Sequence, residues 1–540
     1  MQNAAQLIAD NQGSFAYVLP EIVVIAGILG LFLLDLFLKK STAARVIHTA
    51  AVVVVLLVAT GLLFAMRAWE PASLFNGLLV HDAFAWFFRA FALLSTLVVI
   101  VMVPDYREIP TSRIGEFYAL LLTIVLGLLL LPASTDLLMI VLSLELVSLV
   151  SYVLTGYRKG NRPSAEGALK YVIFGGVATG TMLYGFSILY GLCGGTSLVD
   201  LQAGFARAMG EVSTLGDPTA IKLALATATV FVLVGFGYKI AAAPFHLWTP
   251  DAYEGAPTPF TAFLSVGPKA AGLALMIRFF FGIFTSHDPA AWAAGTVQSL
   301  GSLPWMEILA LMSMATMTVG NITALRQENV KRMLAFSSIA HAGTMLMGLA
   351  TGTVLGVEAV IVYAIIYLFM NLGAFAIVSA IGTRLGTETV EGYRGLSQRA
   401  PWAAFTLAAF LFSLTGLPPL AGFIGKFYVF YAVILKGGSL MWILALVGAL
   451  NGAISLFYYA KIVRAMYLEK AVDPTPVRIG WSTAALAGAM LIPTLVFGLY
   501  WSPLVDTSRE AVREAPLSAQ VSGSAVAAAE HDDPTKLARR

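Results

Sequence analysis

Hydrophobic residues gather along this chain in runs of about twenty, separated by short polar connections. A bilayer core about 30 Å thick is crossed by roughly 20 apolar residues in a helix, so each run predicts one transmembrane helix. The pattern therefore predicts an all-α polytopic membrane protein with 14 crossings. The runs cover residues 18–38, 44–65, 83–103, 116–133, 135–156, 168–193, 222–243, 258–284, 303–323, 332–350, 355–382, 402–435, 440–462 and 480–501.

The composition narrows the class of protein. Of the 540 residues, 59% are hydrophobic and 12% are charged, about half the usual charged share. So little charge excludes a soluble enzyme, a disordered chain and a secreted disulfide scaffold. The single cysteine, Cys193, cannot form an internal disulfide, an iron–sulfur cluster or a structural zinc site. With no haem, flavin or nicotinamide motif, we expect no redox cofactor in this chain. The net charge of +3 is spread thinly and says nothing about nucleic acid, and we expect no nucleic acid partner.

The distribution of basic residues predicts the orientation. We call face one the side reached after each odd-numbered crossing, and face two the side that holds both termini. Face one carries 19 of the 33 lysines and arginines, whereas the face-two connections, with Arg278 counted among them, carry five and the C-terminal tail another five. Positively charged loops stay in the cytoplasm. We therefore expect face one to be cytoplasmic and both termini to lie outside.

The four basic residues that are assigned to neither face nor to the tail lie inside predicted crossings: Arg89, Lys239, Lys269 and Lys426. A charge at the bilayer centre costs at least about 2.5–3.5 kcal/mol, so such residues face protein or water and often serve transport. For Arg89, which lies about six residues into its crossing, an ion pair or a snorkelling side chain is the favoured interpretation. Glu21 is close to the end of a crossing and is expected at the membrane interface.

A carboxylate lies near the middle of the fifth crossing. Glu145 is followed by Ser148, Tyr152 and Thr155 at positions i+3, i+7 and i+10, which share its helix face. A polar stripe on an apolar helix points at a partner or at water. We therefore interpret Glu145 as a functional carboxylate.

Prolines interrupt two lysine-bearing crossings. Pro244 follows Lys239 by five residues, and the proline pair at 418–419 precedes Lys426. Broken membrane helices occur where the backbone is buried or lines a wet cavity, as at transporter ion sites. Lys269 lies about half-way along its own crossing. Lysine suits proton transfer because burial and neighbouring carboxylates readily shift its charge state.

His341 lies inside the tenth crossing with Ser337 and Thr344 on the same helix face. A lone buried histidine is more often a satisfied core residue than a relay group. Because other polar stripes occur nearby, the sequence leaves both roles open. These stripes contain Tyr363, Tyr367 and Asn371, and Asn451, Ser455 and Tyr458.

The pattern Gly-Phe-x-x-Lys occurs at 235–239 and again at 422–426. Each copy lies on the fourth helix of a five-helix block. Because five is odd, the second block is inverted relative to the first, as in secondary transporters. The predicted units are a three-helix segment at 1–115, five-helix units at 116–285 and 303–466, a last helix at 480–502 and a polar flexible tail at 503–540.

Several longer motifs resemble those of the antiporter-like subunits of respiratory complex I, and within that family the N type. The resemblance runs from about residue 116 to 466. It is carried by residues 144–146 with Tyr152, 237–259 (GYKIAAAPFHLWTPDAYEGAPTP), 266–271 (VGPKAA), 329–343 (NVKRMLAFSSIAHAG) and 415–427 (TGLPPLAGFIGKF).

The resemblance implies a fold and a role for individual residues. The fold has 14 helices, two inverted five-helix units and breaks in the seventh and twelfth helices. Glu145 matches the glutamate of the fifth helix, Lys239 the lysine of the seventh, Lys269 that of the eighth and Lys426 that of the twelfth. Lysine at the last position fits the N type. The three N-terminal helices favour a bacterial source.

The resemblance further implies a proton-translocating subunit of NADH:quinone oxidoreductase, an enzyme subunit with no redox centre of its own. Flavin and iron–sulfur clusters are expected in partner subunits. The implied partners are the middle antiporter-like subunit, the small membrane subunits and the lipid bilayer, with quinone bound elsewhere in the complex. The implied location is the bacterial plasma membrane. Alternatives are a subunit of a cation/proton antiporter or of a related hydrogenase-type complex, and, disfavoured by the buried charges, a membrane anchor.

Overall fold

The computed structural model describes residues 11–38, 42–212, 219–286, 288–471 and 473–514. Within these ranges the chain forms twenty α-helices, four short 3-10 helices and one antiparallel hairpin, β1 (Ala72–Leu74) with β2 (Leu79–His81). The helices are α1 (Leu19–Phe37), α2 (Thr42–Ala65), α3 (Ala83–Met102), α4 (Ile114–Leu130), α5 (Leu137–Thr155), α6 (Arg162–Cys193), α7 (Leu198–Val212), α8 (Thr219–Ile240), α9 (Thr249–Gly255), α10 (Thr258–Phe284), α11 (Pro289–Ala293), α12 (Trp305–Leu325), α13 (Val330–Ala350), α14 (Val354–Leu385), α15 (Leu396–Arg399), α16 (Pro401–Thr415), α17 (Ala421–Lys436), α18 (Ser439–Leu468), α19 (Trp481–Leu499) and α20 (Ser502–Ala511).

Thirteen helical segments in the described ranges are long and apolar enough to cross a membrane. The twelfth predicted crossing is instead made of two shorter helices, α16 and α17, separated by residues 416–420. The seventh crossing is also interrupted, because α8 ends at Ile240 and α9 begins only at Thr249. The prediction of an all-α polytopic membrane protein with broken seventh and twelfth helices is therefore confirmed.

The bundle has a buried centre and an apolar outer surface. Helices α10 and α13 are buried over their whole apolar length, and α14 is nearly so. The peripheral helices α1, α2, α18 and α19 expose large apolar side chains such as Phe37 and Phe457. Such a surface is typical of a contact with lipid or with another membrane protein.

The two five-helix blocks share local features. The third helix of each, α6 and α14, is 32 residues long and ends on a glycine in the left-handed conformation, Gly194 and Gly386. In both blocks the next crossing is the interrupted one. This correspondence supports the predicted repeat.

The beginning of the predicted flexible tail is folded, so that part of the prediction is wrong. Residues 502–511 form α20, which buries Leu504, Val505 and Ala511 along one side. The indole Nε1 of Trp292 donates to the carbonyl of Val512 at 2.7 Å. The apolar stripe was hidden because charged residues lie between its members. The remainder of the predicted tail, 515–540, lies outside the described residues.

Two charged residues are placed differently from the prediction. Arg278, counted with the face-two connections, is buried within α10 and forms two hydrogen bonds of 2.9 Å with the Asp82 carboxylate. Glu21, expected at the membrane interface, is 3% exposed and lies 2.9 Å from the Arg89 guanidinium. The ion pair that was one of the interpretations of Arg89 is thus present. Hydropathy alone did not place Arg278 or Glu21, because each is close to the end of an apolar run.

Candidate functional site: a line of titratable side chains inside the bundle

The five predicted site residues lie on five different helices. Glu145 is on α5, Lys239 on α8, Lys269 on α10, His341 on α13 and Lys426 on α17. Lys239, Lys269 and His341 are buried, whereas Glu145 and Lys426 are partly exposed.

Glu145 and Lys239 face the same region without joining directly. The hydroxyl of Thr179 on α6 donates to Glu145 Oε1 at 2.7 Å. Lys239 Nζ donates to Ser148 Oγ at 3.1 Å, one turn along α5 from Glu145. Within the described residues the carboxylate and the ammonium do not come within 4.0 Å. The polar stripe predicted on α5 thus points at α8, where Tyr238 Oη also reaches Tyr152 Oη at 3.4 Å.

Lys239 packs against the helix that carries Lys269. It lies in the last turn of α8, which ends as Ala241 takes a φ of 63°. A Cβ atom added to Gly272, three residues beyond Lys269 on α10, would lie 3.3 Å from Lys239 Cγ. Residues i and i+3 lie on the same side of a helix. Lys239 of α8 therefore packs against the side of α10 that also carries Lys269.

The Lys269 ammonium sits between a hydroxyl and an aromatic ring. Nζ donates to Ser338 Oγ on α13 at 2.5 Å. It also lies 5.7 Å from the centre of the Tyr253 ring, which belongs to α9. A ring face attracts a cation at this distance, so the ammonium is stabilised by neutral groups.

His341 is the centre of a hydroxyl network. Its Nδ1 is hydrogen-bonded to Tyr363 Oη at 2.6 Å and its Nε2 to Tyr459 Oη at 3.1 Å. Tyr459 Oη is also hydrogen-bonded to Ser337. Ser337 and Ser338 are adjacent on α13. This helix therefore contacts Lys269 through Ser338 and the hydroxyl network of His341 through Ser337.

Lys426 binds the end of the preceding half-helix. Its Nζ donates to the carbonyls of Leu414 at 3.0 Å and Thr415 at 2.7 Å, which close α16. Gly416 follows with a φ of 90°, and a Cβ there would lie 2.8 Å from Lys426 Cδ, so a side chain is excluded. A small cavity is lined by both Lys426 and His341, together with Asn451, Ser455, Tyr458 and Asn321.

The two interrupted crossings differ in where the ammonium of their lysine lies, as they do in where their prolines lie. Lys239 lies in the last turn of the first half-helix, α8. Lys426 begins in the second half-helix but returns its ammonium to the end of the first. A helix C-terminus carries about half a negative charge. Lys426 therefore places its ammonium on a helix end, whereas Lys239 donates its Nζ to Ser148 on α5 and has only its backbone in the last turn of α8.

Some contacts of this site were missed from sequence. Ser338 and Tyr459 directly follow Ser337 and Tyr458 in the sequence, and both of those were named in predicted polar stripes. Their position next to such a stripe was the signal that could have indicated them. Tyr253 lies within the motif at 237–259, but nothing there indicated a contact with Lys269. Thr179 had no signal, because it occurs in a stretch of small residues typical of helix packing.

The comparison with known proteins agrees with this geometry. Residues 134–452 match the family described as NADH:quinone oxidoreductase/Mrp antiporter, TM. The chain is 48% identical over 511 residues to NADH-quinone oxidoreductase subunit N of Anaeromyxobacter sp. (strain Fw109-5), covering 94% of this chain and 98% of that protein.

Two solved structures are similar throughout. A chain of respiratory complex I from Thermus thermophilus gives a TM-score of 0.71 at 30% identity, covering 90% of this chain and 99% of that one. A chain of the Mrp complex from Dietzia sp. DQ12-45-1b gives 0.75 at 21% identity, covering 93% and 98%, which shows a shared fold alone. The present chain therefore belongs to the NADH:quinone oxidoreductase/Mrp antiporter membrane family, and within it to the N-type subunits of respiratory complex I.

Proposed function

We propose that this chain moves protons across the membrane as a subunit of an NADH:quinone oxidoreductase, driven by quinone reduction elsewhere in the complex. The observation that carries the proposal is the line of five titratable side chains from α5 to α17, in which the lysines are held by neutral hydroxyls and carbonyls. The first unit, at 116–285, supplies Glu145, Lys239 and Lys269. The second, at 303–466, supplies His341 and Lys426.

Glu145 and Lys239 are the switchable pair of this proposal. When the carboxylate leaves Thr179 and approaches the ammonium, the proton on Lys239 is held; when they separate, it is released toward Lys269. This assignment is supported by the placement of Ser148, the acceptor of Lys239, one turn from Glu145.

The relay then continues through α13. Ser338 binds Lys269, and His341 is joined to Tyr459 and Tyr363 by hydrogen bonds. Imidazole and hydroxyl groups can both donate and accept, so each can pass a proton without a lasting change of charge. Lys426, across the shared cavity from His341, is the terminal group and releases its proton to the outer side.

The same proposal assigns the surroundings of the chain. The middle antiporter-like subunit and the small membrane subunits are its neighbours. They cover the partly exposed Glu145, since a carboxylate facing lipid is costly. Flavin and iron–sulfur clusters belong to partner subunits, and quinone binds elsewhere in the complex.

Face one is assigned to the cytoplasm of a bacterium, and both termini to the outer side of its inner membrane. A reporter fused after Arg540 is expected outside, and one inserted near Arg162 inside. A cytoplasmic C-terminus would contradict the assignment, because together with an N-terminus outside it requires an odd number of crossings.

The decisive experiment compares NADH oxidation and proton pumping in inverted membrane vesicles that contain the intact complex. Lys239→Ala and Glu145→Gln should assemble normally but lose most pumping and coupled quinone reduction. Lys222→Ala is the matched control, because Lys222 lies on the same helix and is exposed. A normal ratio of protons to electrons in both variants would refute the pair. Sodium/proton exchange without NADH oxidation would instead indicate an antiporter.

A further inference from the structure

The carbonyls at the C-terminal end of the short helix α9 accept hydrogen bonds from two cationic side chains. Lys331 Nζ donates to the carbonyls of Glu254 at 3.0 Å and Ala256 at 2.9 Å. Arg158 donates through Nε to Gly255 and through Nη2 to Glu254, both at 3.1 Å. Lys331 is fully buried at the start of α13. Cations at a helix C-terminus satisfy its free carbonyls and favour its dipole.

Side-chain ion pairs strengthen the same attachment. Arg332 Nη1 lies 2.5 Å from Asp251 Oδ1 and 2.8 Å from Glu254 Oε2. Lys170 on α6 lies 2.6 Å from Asp251 Oδ2. A helix of seven residues is not stable by itself. The position of α9 is consequently fixed by cations from α6, α13 and the connection between α5 and α6.

Helix α9 carries the ring that faces the Lys269 ammonium. Tyr253 is fully buried, and Thr261 Oγ1 donates to its carbonyl at 2.9 Å. The other partner of Lys269 is Ser338, seven residues from Lys331 on the same helix. The two partners of Lys269 therefore stand on two helices that Lys331 joins.

We propose that Lys331 and Arg158 are positioning residues that hold Tyr253 against the Lys269 ammonium and so set proton transfer at Lys269. This inference rests on the proposed function of Lys269. Neither cation touches the ammonium; both act through the placement of α9. Helix α9, the second part of the interrupted seventh crossing, is in this way attached to α13, the tenth crossing.

The test measures protons pumped per NADH oxidised in vesicles that contain the whole complex. Lys331→Met and Tyr253→Leu should each lower this ratio by about five- to thirtyfold, the range between an exposed and a desolvated contact of a cation with a ring face. The double variant should be no worse than the poorer single variant, because both remove one interaction. Lys331→Arg and Tyr253→Phe should restore most of the ratio, since they keep the charge and the ring.

Lys461→Met is the matched control. Lys461 also donates to a backbone carbonyl, that of Gln327 at 3.1 Å, and pairs with Glu328 at 2.7 Å, but among the described residues no hydrogen bond or ion pair joins it to α9. It should pump like the wild type. If Lys331→Met fails to assemble, Lys331→Arg and the two Tyr253 variants decide the question.

Several outcomes would overturn the inference: normal pumping by Tyr253→Leu, a loss in Tyr253→Phe as deep as in Tyr253→Leu, or losses that multiply in the double variant. Lys269→Ala separates the two proposals. If Lys269→Ala pumps normally, the proposed function of Lys269 fails. If it is impaired while Tyr253→Leu is normal, only the positioning role fails.

Discussion

Two groups of cations inside the helical bundle of this protein differ in their partners. Arg89 and Arg278, near the face-two side, each pair with a buried carboxylate, Glu21 and Asp82. Arg278 adds a hydrogen bond of 2.8 Å to the carbonyl of Pro132. The lysines of the central line, by contrast, lie beside hydroxyls, a ring and backbone carbonyls, with no carboxylate within 4.0 Å among the described residues.

The difference separates fixed charges from exchangeable ones. Arginine stays protonated in proteins, so an arginine–carboxylate pair is permanent and joins the elements that carry it. Lysine responds to burial, and a lysine held only by neutral dipoles can release its proton without leaving a bare carboxylate behind. Charge inside the bundle thus has two uses, of which only the second suits a relay.

The largest effect should come from Arg278→Met, which strands the Asp82 carboxylate in the protein interior. Removing one partner of a buried pair costs about 3–5 kcal/mol, so the amount of intact complex on a native gel should fall sharply. Adding Asp82→Asn should recover much of it. Arg509→Met, which removes an exposed cation 3.8 Å from Glu358, is the control. Normal assembly with abolished pumping would show that Arg278 is needed for proton transfer and not for assembly, and would break the comparison.

Lys426→Arg tests exchange directly. The guanidinium keeps its charge but cannot lose its proton near neutral pH. Pumping should fall at least about tenfold, because a positioned side chain contributes roughly 10²-fold or more to a proton-transfer step. Lys426→Ala should also lower pumping, and both variants should assemble. Wild-type pumping by Lys426→Arg would make Lys426 a fixed counter-charge like Arg89.

Gly272→Ala is expected to have an intermediate effect. The added methyl group would lie 2.8 Å from Ile240 Cγ2 and 3.3 Å from Lys239 Cγ, so it presses on the contact between α8 and α10. Overpacking of about 1 kcal/mol corresponds to roughly fivefold in a rate, and pumping should slow by that order. Gly61→Ala, where open space surrounds the position, should have no effect. Equal pumping by the two variants would mean that Lys239 tolerates displacement.

The smallest effect concerns a surface pair, Glu108 with Arg158 at 2.6 Å. Partial burial would raise the pKa of Glu108, but the hydrogen bond and charge of Arg158 outweigh it, and with the Tyr106 hydroxyl they lower the pKa below its ordinary 4.5. The stabilisation is therefore complete above pH 4.5 and is lost as the pH falls through the lowered value. Glu108→Gln should cost no more than about 1 kcal/mol.

The measurement is the thermal midpoint of the purified complex across this pH range. The gap between wild type and Glu108→Gln should be constant from neutral pH down to about 5 and should close below 4.5. A gap that widens on acidification would reverse the assigned sign.

The crossings and most of the central line were predictable because they depend on local pattern. Runs of twenty apolar residues define the helices, and proline pairs or mid-run charges stand out within them. Glu145, Lys239, Lys269, His341 and Lys426 were all identified in this way, and the structure brings them into one succession of neighbouring helices. Their roles stay predictions until the variants above are measured.

Partners that are far apart in sequence were not predictable. Arg278 was counted as a loop residue because nothing near it indicates Asp82, which is 196 residues away. Helix α20 was taken for flexible tail because its apolar residues only become a stripe when the segment is helical and packed. Thr179 was not predicted as the partner of Glu145 because the two residues are 34 positions apart in the sequence and lie on different helices.

The complete burial of α10 and α13 also bears on how this protein is synthesised. Lys269 would cost about 2.5–3.5 kcal/mol or more if α10 were released alone into lipid. Its hydroxyl partner, Ser338, is translated 69 residues later. During that interval the nascent α10 has to be retained beside the insertion machinery or earlier helices. Biogenesis of the central helices is therefore a collective step, completed only when the second unit emerges from the ribosome.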